Sequence, residues 1–504
     1  MADRRRRRPC CPWSAARAGA RNSGRRAAAL DVSGQHGVGG MPDDAQARID
    51  WRPGTRAQPS FYRLAAAFRS GKDSPRDLLE RCIATIEVRE PEVGAFVVHD
   101  FARARAAADA ASARWRTGTP LSPVDGLPIG LKDVIGTEDF PTARGSEIFA
   151  GRPPERDAAV TWALRQGGAV IVGKTVTTEF AIGRVGRTRN PIDPRRTPGT
   201  SSSGSAAAVG AGMVPVALAS QLISSVMRPA SYCGHVGVMP SYGVIRMDGM
   251  EPICPSTDHV GTHTTTLEDA WIVLRHLSRT AGPIPGWRSL HGPAEPPAPV
   301  KPRRLGRIYE PDWQHTDTGC RVALEDALRK LAAAGVEIVE PKDDPVLRRL
   351  DEACATSVDT IMALIIGEMR WPFLDYDAKG FRFGLRLGPL MEKARVATPE
   401  EYHAALGARD ELRARFDAAA RSCDGFIGLP AASVAAMGLD NIGRPGATAP
   451  ATCAGLPALT LPVLAAHGMP LGLQMVGAAH GEANLFAHAA WIGRTLLDGE
   501  AGAR

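Results

Sequence analysis

The sequence has no pair of cysteines at the two-to-four-residue spacing that ligates zinc. Cys10 and Cys11 are adjacent, and Cys82, Cys233, Cys254, Cys320, Cys354, Cys423 and Cys453 stand singly. Reduced thiols, and with them a cytoplasmic location, are the simplest expectation. A long apolar run is missing as well. The longest, Ser205 to Ser220, is broken by Gly210, Gly212 and Pro215. It falls short of the roughly 20 residues that span a bilayer, so no membrane association is expected.

The body of the chain also lacks an excess of either charge. The net charge of +7 resides in residues 1–40, which hold nine of the 61 basic residues (Arg4 to Arg8, Arg17, Arg21, Arg25 and Arg26) and two of the 54 acidic ones (Asp3 and Asp31). The remainder carries 52 of each sign. A neutral body gives no footprint for nucleic acid, and none is expected as a partner. Residues 1–40 are rich in Arg, Gly, Ala and Ser without apolar periodicity, and are expected to form a disordered tail. They contain no apolar stretch of the secretory type, and Arg25-Arg26 does not make a twin-arginine signal. Met41 is a candidate for the true start of the body.

What is present reads as an α/β protein. Residues 60–118 have a helical pattern, with Ser74-Pro75 as a helix start and Leu78, Leu79, Cys82, Ile83 and Ile86 as its apolar stripe. From residue 126, short apolar runs such as PIGLKDV and AVIVGKT alternate with helical patterns such as Asp157 to Gln166. That alternation predicts strands covered by helices. Thr266-Leu-Glu-Asp269 resembles a capping box, residues 318–334 and 399–420 read as helices, and GLPALTLPV and PLGLQMVG read as core strands. No clean linker follows residue 41, so residues 41–504 are expected to form one domain.

Two segments carry candidate chemistry. The Gly/Ser-rich stretch 197–234 offers hydroxyl nucleophiles, and GLPIGLKDV places Lys132 in an apolar strand pattern. Amide cleavage without a metal needs a nucleophile, a base and N–H donors for the oxyanion. A lysine serves as base only if burial or a nearby cation lowers its pKa. Alone, each piece has a blander reading: a linker for the first, a snorkelling edge lysine for the second.

Taken in order, GLPIGLKDV, GGAVIVGKT, EFA, NPIDP, TPGTSSSGSAAAV, SVMRPASYCGHVGV, PSTDHVG with TTLEDAW, GLPALTLP and LGLQMVG resemble the amidase signature family over about residues 60–495. The resemblance implies a large mixed β-sheet covered by helices on both faces. It implies a Ser–cis-Ser–Lys triad, with Lys132 as base, Ser201 as proton relay after a cis peptide, and Ser225 as nucleophile. Backbone N–H groups around Leu222, Ile223 and Ser224 would form the oxyanion hole, with Ser202 helping to orient Lys132. No metal or cofactor is implied, and the partner would be a small-molecule amide. A homodimer is a further expectation. Lys174 is the rival lysine, in a strand-end motif of the family. The sequence Ser-Val-Met-Arg-Pro is similar to the malonamidase-like branch, where the arginine holds a substrate carboxylate. Arg228 is therefore read either as a carboxylate ligand or as a structural ion pair.

The nucleophile loop departs from the family. Leu222, Ile223 and Ser224 replace its small Thr-Gly/Ala-Gly run, and Thr200 replaces the Gly before the cis bond. A β-branched Ile forced to φ > 0 would be an outlier. Apolar side chains could also fill the space a substrate carbonyl needs. Three readings follow. The first is an amide hydrolase working through a Ser225 acyl-enzyme. The second is an amidotransferase A-subunit-like component. The third is an inactive relative acting as a binding protein.

Overall fold

A computed structural model describes residues 49–54, 60–384 and 386–501. The expected tail, residues 1–40, lies outside the described residues. Eleven strands form one sheet: β1 (Phe96–His99), β2 (Pro128–Lys132), β3 (Val170–Thr175), β4 (Val216–Gln221), β5 (Val236–Met239), β6 (His259–Thr264), β7 (Arg304–Arg307), β8 (Glu337–Val339), β9 (Gly425–Gly428), β10 (Ala458–Ala466) and β11 (Met469–Val476). Their order is β1-β3-β2-β4-β6-β5-β10-β11-β9-β7-β8. The pairs β2–β3, β2–β4, β7–β8 and β7–β9 are parallel, and the other pairings are antiparallel. The mixed sheet inferred above is the one observed.

Side-chain alternation along the strands explains why helices cover both faces. Ile129, Leu131, Ile171, Val216 and Leu218 point into one apolar cluster, which the helices Phe61–Ser70, Ala159–Gln166 and Leu267–Thr280 close. Val170, Val172 and Ala217 point the other way, against Leu79, Ile83 and Ile86 of the helix Pro75–Val93. In the other half of the sheet, Phe426 and Val476 meet a third cluster, formed largely by helices between 345 and 419. Strands β2, β3 and β4 are buried at every residue, as expected of central strands covered on both sides.

The local signals mostly hold. Ser74 caps the helix at Pro75 by accepting from Asp77 N–H, and Thr266 caps Leu267–Thr280 by accepting from Asp269 N–H. The pattern of 60–118 conceals one strand, β1, an edge strand of four residues between two helices. The described residues form one compact unit. Among the described residues, no helix is long and apolar enough to cross a membrane.

Candidate active site

Lys132 is the last residue of β2 and is fully buried. The parallel register sets Leu131 beside Leu218 of β4, which brings the next polar side chain of β4, Ser220, to the lysine. Lys132 Nζ donates to Ser201 Oγ at 2.6 Å, Ser220 Oγ at 3.0 Å and the Ser220 carbonyl at 3.2 Å. Burial pushes its pKa down to about 7, against the opposing charge of Asp258. Burial likewise raises Asp258 to about 7, while the N–H groups of Cys254 and Ile253 stabilise its charged form.

Ser201 follows a cis peptide with Thr200. Gly199 precedes it at φ +85°, and a Cβ there would meet the backbone of Pro229 at 3.0 Å, so glycine fits both the conformation and the space. The Ser201 carbonyl accepts from Thr178 N–H at 3.2 Å, tying this turn to the end of β3. Ser202 does not hydrogen-bond Lys132. Its hydroxyl reaches the Ser220 carbonyl at 3.3 Å, the same oxygen that accepts from the lysine. Lys174 lies elsewhere, in a buried ion pair with Asp133 at 3.2 Å and a 2.7 Å bond to Thr142.

Ser225 sits in the turn between β4 and the helix Met227–Cys233, with 8% of its surface exposed. No side chain among the described residues hydrogen-bonds its hydroxyl, so no bond joins it to Ser201 in this structure. The unusual loop is anchored from three sides. Gln221 Oε1 accepts from the N–H groups of Val226 and Met227, at 2.8 and 3.1 Å, and Gln221 Nε2 donates to Thr452. The Ile223 carbonyl accepts from Thr448 and Thr452 hydroxyls at 2.7 and 2.8 Å. Leu222 is buried in the cluster that holds Met227, Met239 and Phe180, and Ile223 packs against it.

None of residues 222–225 has a positive φ. The path around Ser225 is therefore made without the conformations that would have required glycine. Among the described residues, no acceptor takes the backbone N–H of Leu222, Ile223, Ser224 or Ser225. Such uncommitted donors next to a hydroxyl are what an oxyanion requires.

Arg228 lies one helical turn beyond Ser225 and is 3% exposed. Its Nη1 donates to the Arg444 carbonyl at 2.8 Å and the Gly443 carbonyl at 3.4 Å. Its Nη2 reaches Thr200 Oγ1 at 3.1 Å and the Thr200 carbonyl at 3.4 Å, and its Nε has no partner.

Reading the sequence missed Ser220, Thr448 and Thr452. Ser220 was open to discovery: it and Gln221 are the only polar residues of β4, and a parallel register with β2 brings its end to Lys132. Thr448 and Thr452 carry no such signal, because they are 225 and 229 residues from the carbonyl they hold.

The protein is thus of the α/β class, a mixed sheet with helices on both faces and a buried lysine bonded to two serines. The chain belongs to the amidase family, whose model matches residues 77–486. It is 34% identical over 467 residues to the A-type subunit of the glutamyl-tRNA(Gln) amidotransferase of Anaeromyxobacter sp. (strain K), covering 84% of this chain and 93% of that one. Its fold is similar to that of a crystallised amidase, with a TM-score of 0.74 at 26% identity, covering 86% of this chain and 99% of the other. It is similar also to the peptide amidase of Stenotrophomonas maltophilia, with a TM-score of 0.73 at 25% identity, covering 88% and 97%.

Proposed function

We propose that the protein hydrolyses a small to medium carboxamide through an acyl-enzyme on Ser225, in the cytoplasm. The observation that carries this reading is the 2.6 Å bond from a fully buried Lys132, its pKa near 7, to Ser201. About half of such a lysine is neutral at neutral pH and can accept a proton.

In this mechanism, Ser225 Oγ attacks the amide carbon and passes its proton to Ser201 Oγ, while the Ser201 proton moves to Lys132. The Ser201–Ser225 contact closes when substrate binds, as catalytic hydrogen bonds often tighten only in the complex. The carbonyl oxygen becomes anionic against the free N–H groups of 222–225. On collapse the C–N bond breaks, and the leaving nitrogen takes the proton back from Lys132 by way of Ser201. Water then attacks the acyl ester, by the same relay, to release the acid and restore Ser225.

The test is ammonia or amine release from a panel of simple amides by the wild type and by Ser225→Ala. Turnover that disappears in the variant supports the reading. Turnover that survives it removes Ser225 from the mechanism. A second reading, an amidotransferase A-subunit-like component, is favoured by the 34% identity to a protein of that kind. It predicts that amide turnover depends on a partner that co-purifies with the native protein.

A further inference from the structure

Two features of this chain meet at one contact. Thr200 stands where the family pattern has glycine, and its hydroxyl accepts from Arg228 Nη2 at 3.1 Å. The arginine bridges two turns. Its own N–H bonds the Ser224 carbonyl at 3.2 Å, next to Ser225, and its Nη2 holds Thr200, next to Ser201. Its Nη1 takes the carbonyls of Gly443 and Arg444. Both terminal nitrogens are thus committed to protein oxygens, and only Nε–H is left.

An arginine grips a carboxylate by two parallel N–H bonds, from Nε and one Nη or from both Nη atoms. One remaining N–H cannot make that fork. Among the described residues no carboxylate pairs with Arg228 either, since the nearby Asp312 is engaged with Arg444. With glycine at 200, Nη2 would keep only the 3.4 Å contact to the carbonyl and could turn towards a ligand beside Ser225.

We infer that Thr200 is a specificity-determining residue: by holding Arg228 as a strut between the Ser201 turn and the 443–444 loop, it fits the site to amides without a neighbouring carboxylate. The inference rests on the reading of Ser225 as nucleophile and adds the substrate class to it. Thr200 and Arg228 are positioning residues in this account and touch no reacting atom.

The experiment compares succinamide with its half-acid, succinamate, on the wild type, Thr200→Gly, Thr200→Val and Arg228→Gln. The wild type should turn over the neutral diamide at least as well as the half-acid, measured as kcat/KM. Thr200→Gly should raise the half-acid to diamide ratio about tenfold, and Thr200→Val, which keeps the volume but loses the hydroxyl, should raise it by less. Calorimetric titration with succinate provides a reading that needs no turnover. Thr200→Gly should bind it about tenfold more tightly than the wild type. The inference is overturned if the wild type already prefers succinamate tenfold and Arg228→Gln loses that preference. It is overturned equally if Thr200→Gly leaves both the ratio and the succinate affinity within twofold of the wild type. If no variant turns over either amide and Ser225 takes up no fluorophosphonate, the hydrolase reading fails and the succinate titration alone decides the role of Thr200.

Discussion

Lys132 Nζ and Ser201 Oγ lie 2.6 Å apart, although 69 residues separate them in the chain. The contact exists because β2 ends in the lysine, while the Ser201 turn is fastened to the end of neighbouring β3 through Thr178. Replacing the lysine should remove the base and leave the sheet intact. Lys132→Ala should lower kcat/KM on simple amides about 10²–10⁴-fold, the usual contribution of a positioned base, with an unchanged circular dichroism spectrum. Because it deletes a buried amine, the variant should lose activity without losing solubility.

The pH dependence follows from the same lysine. Its ordinary pKa is near 10.5, and burial lowers it to about 7. Only the neutral amine accepts a proton, so kcat/KM should fall as pH drops through about 7 and level off above it. Asp258 stabilises the protonated lysine. Asp258→Asn should therefore move the acid limb to lower pH. A limb that stays in place or moves upward would show that Asp258 does not act on Lys132.

Leu222 is the residue of the nucleophile loop that the structure recasts most. It is a core side chain, buried in the cluster that holds Met227 and Met239. Leu222→Ala should cost about 2–5 kcal/mol of stability, read from the midpoint of denaturant unfolding. The triple change Leu222→Thr, Ile223→Gly and Ser224→Gly should likewise lower stability, without a hundredfold gain in kcat. The present loop already leaves its N–H groups free without positive φ.

Gln221 makes a separate contribution. Its carbonyl oxygen satisfies two buried N–H groups at the start of the helix after Ser225. Gln221→Leu would strand both, at about 1–3 kcal/mol each. Stability should fall, and kcat should fall with it because the turn carrying Ser225 loses its anchor. Gln221→Glu keeps the acceptor and should retain more of both.

Strands β2, β3, β10 and β11 were legible in the sequence as short apolar runs, and the helices at Pro75 and Leu267 by their caps at Ser74 and Thr266, whereas β4, β5, β6, β7 and β9 lie in stretches without so clear a run. The strand Phe96–His99 was not legible either. It is short, sits at the sheet edge and exposes Val97, so it lacks the pattern of a buried strand. In the site, motif order singled out Lys132 and Ser201, which the structure brings together at 2.6 Å. The conformation of the Leu222-Ile223-Ser224 run was not legible, since it depends on Thr448 and Thr452, which hold the Ile223 carbonyl from far along the chain. The partners of Arg228 were equally hidden, because Thr200 and the 443–444 carbonyls become its neighbours only in the folded chain.

The central claim is that Ser225 is a nucleophile activated by Lys132 through Ser201, and fluorophosphonate labelling mapped by peptide mass spectrometry tests it most directly. The account predicts a single phosphonyl adduct on Ser225, formed more slowly as pH falls below about 7 and not formed in Lys132→Ala. No adduct, an adduct on another residue, or undiminished labelling in Lys132→Ala would contradict it.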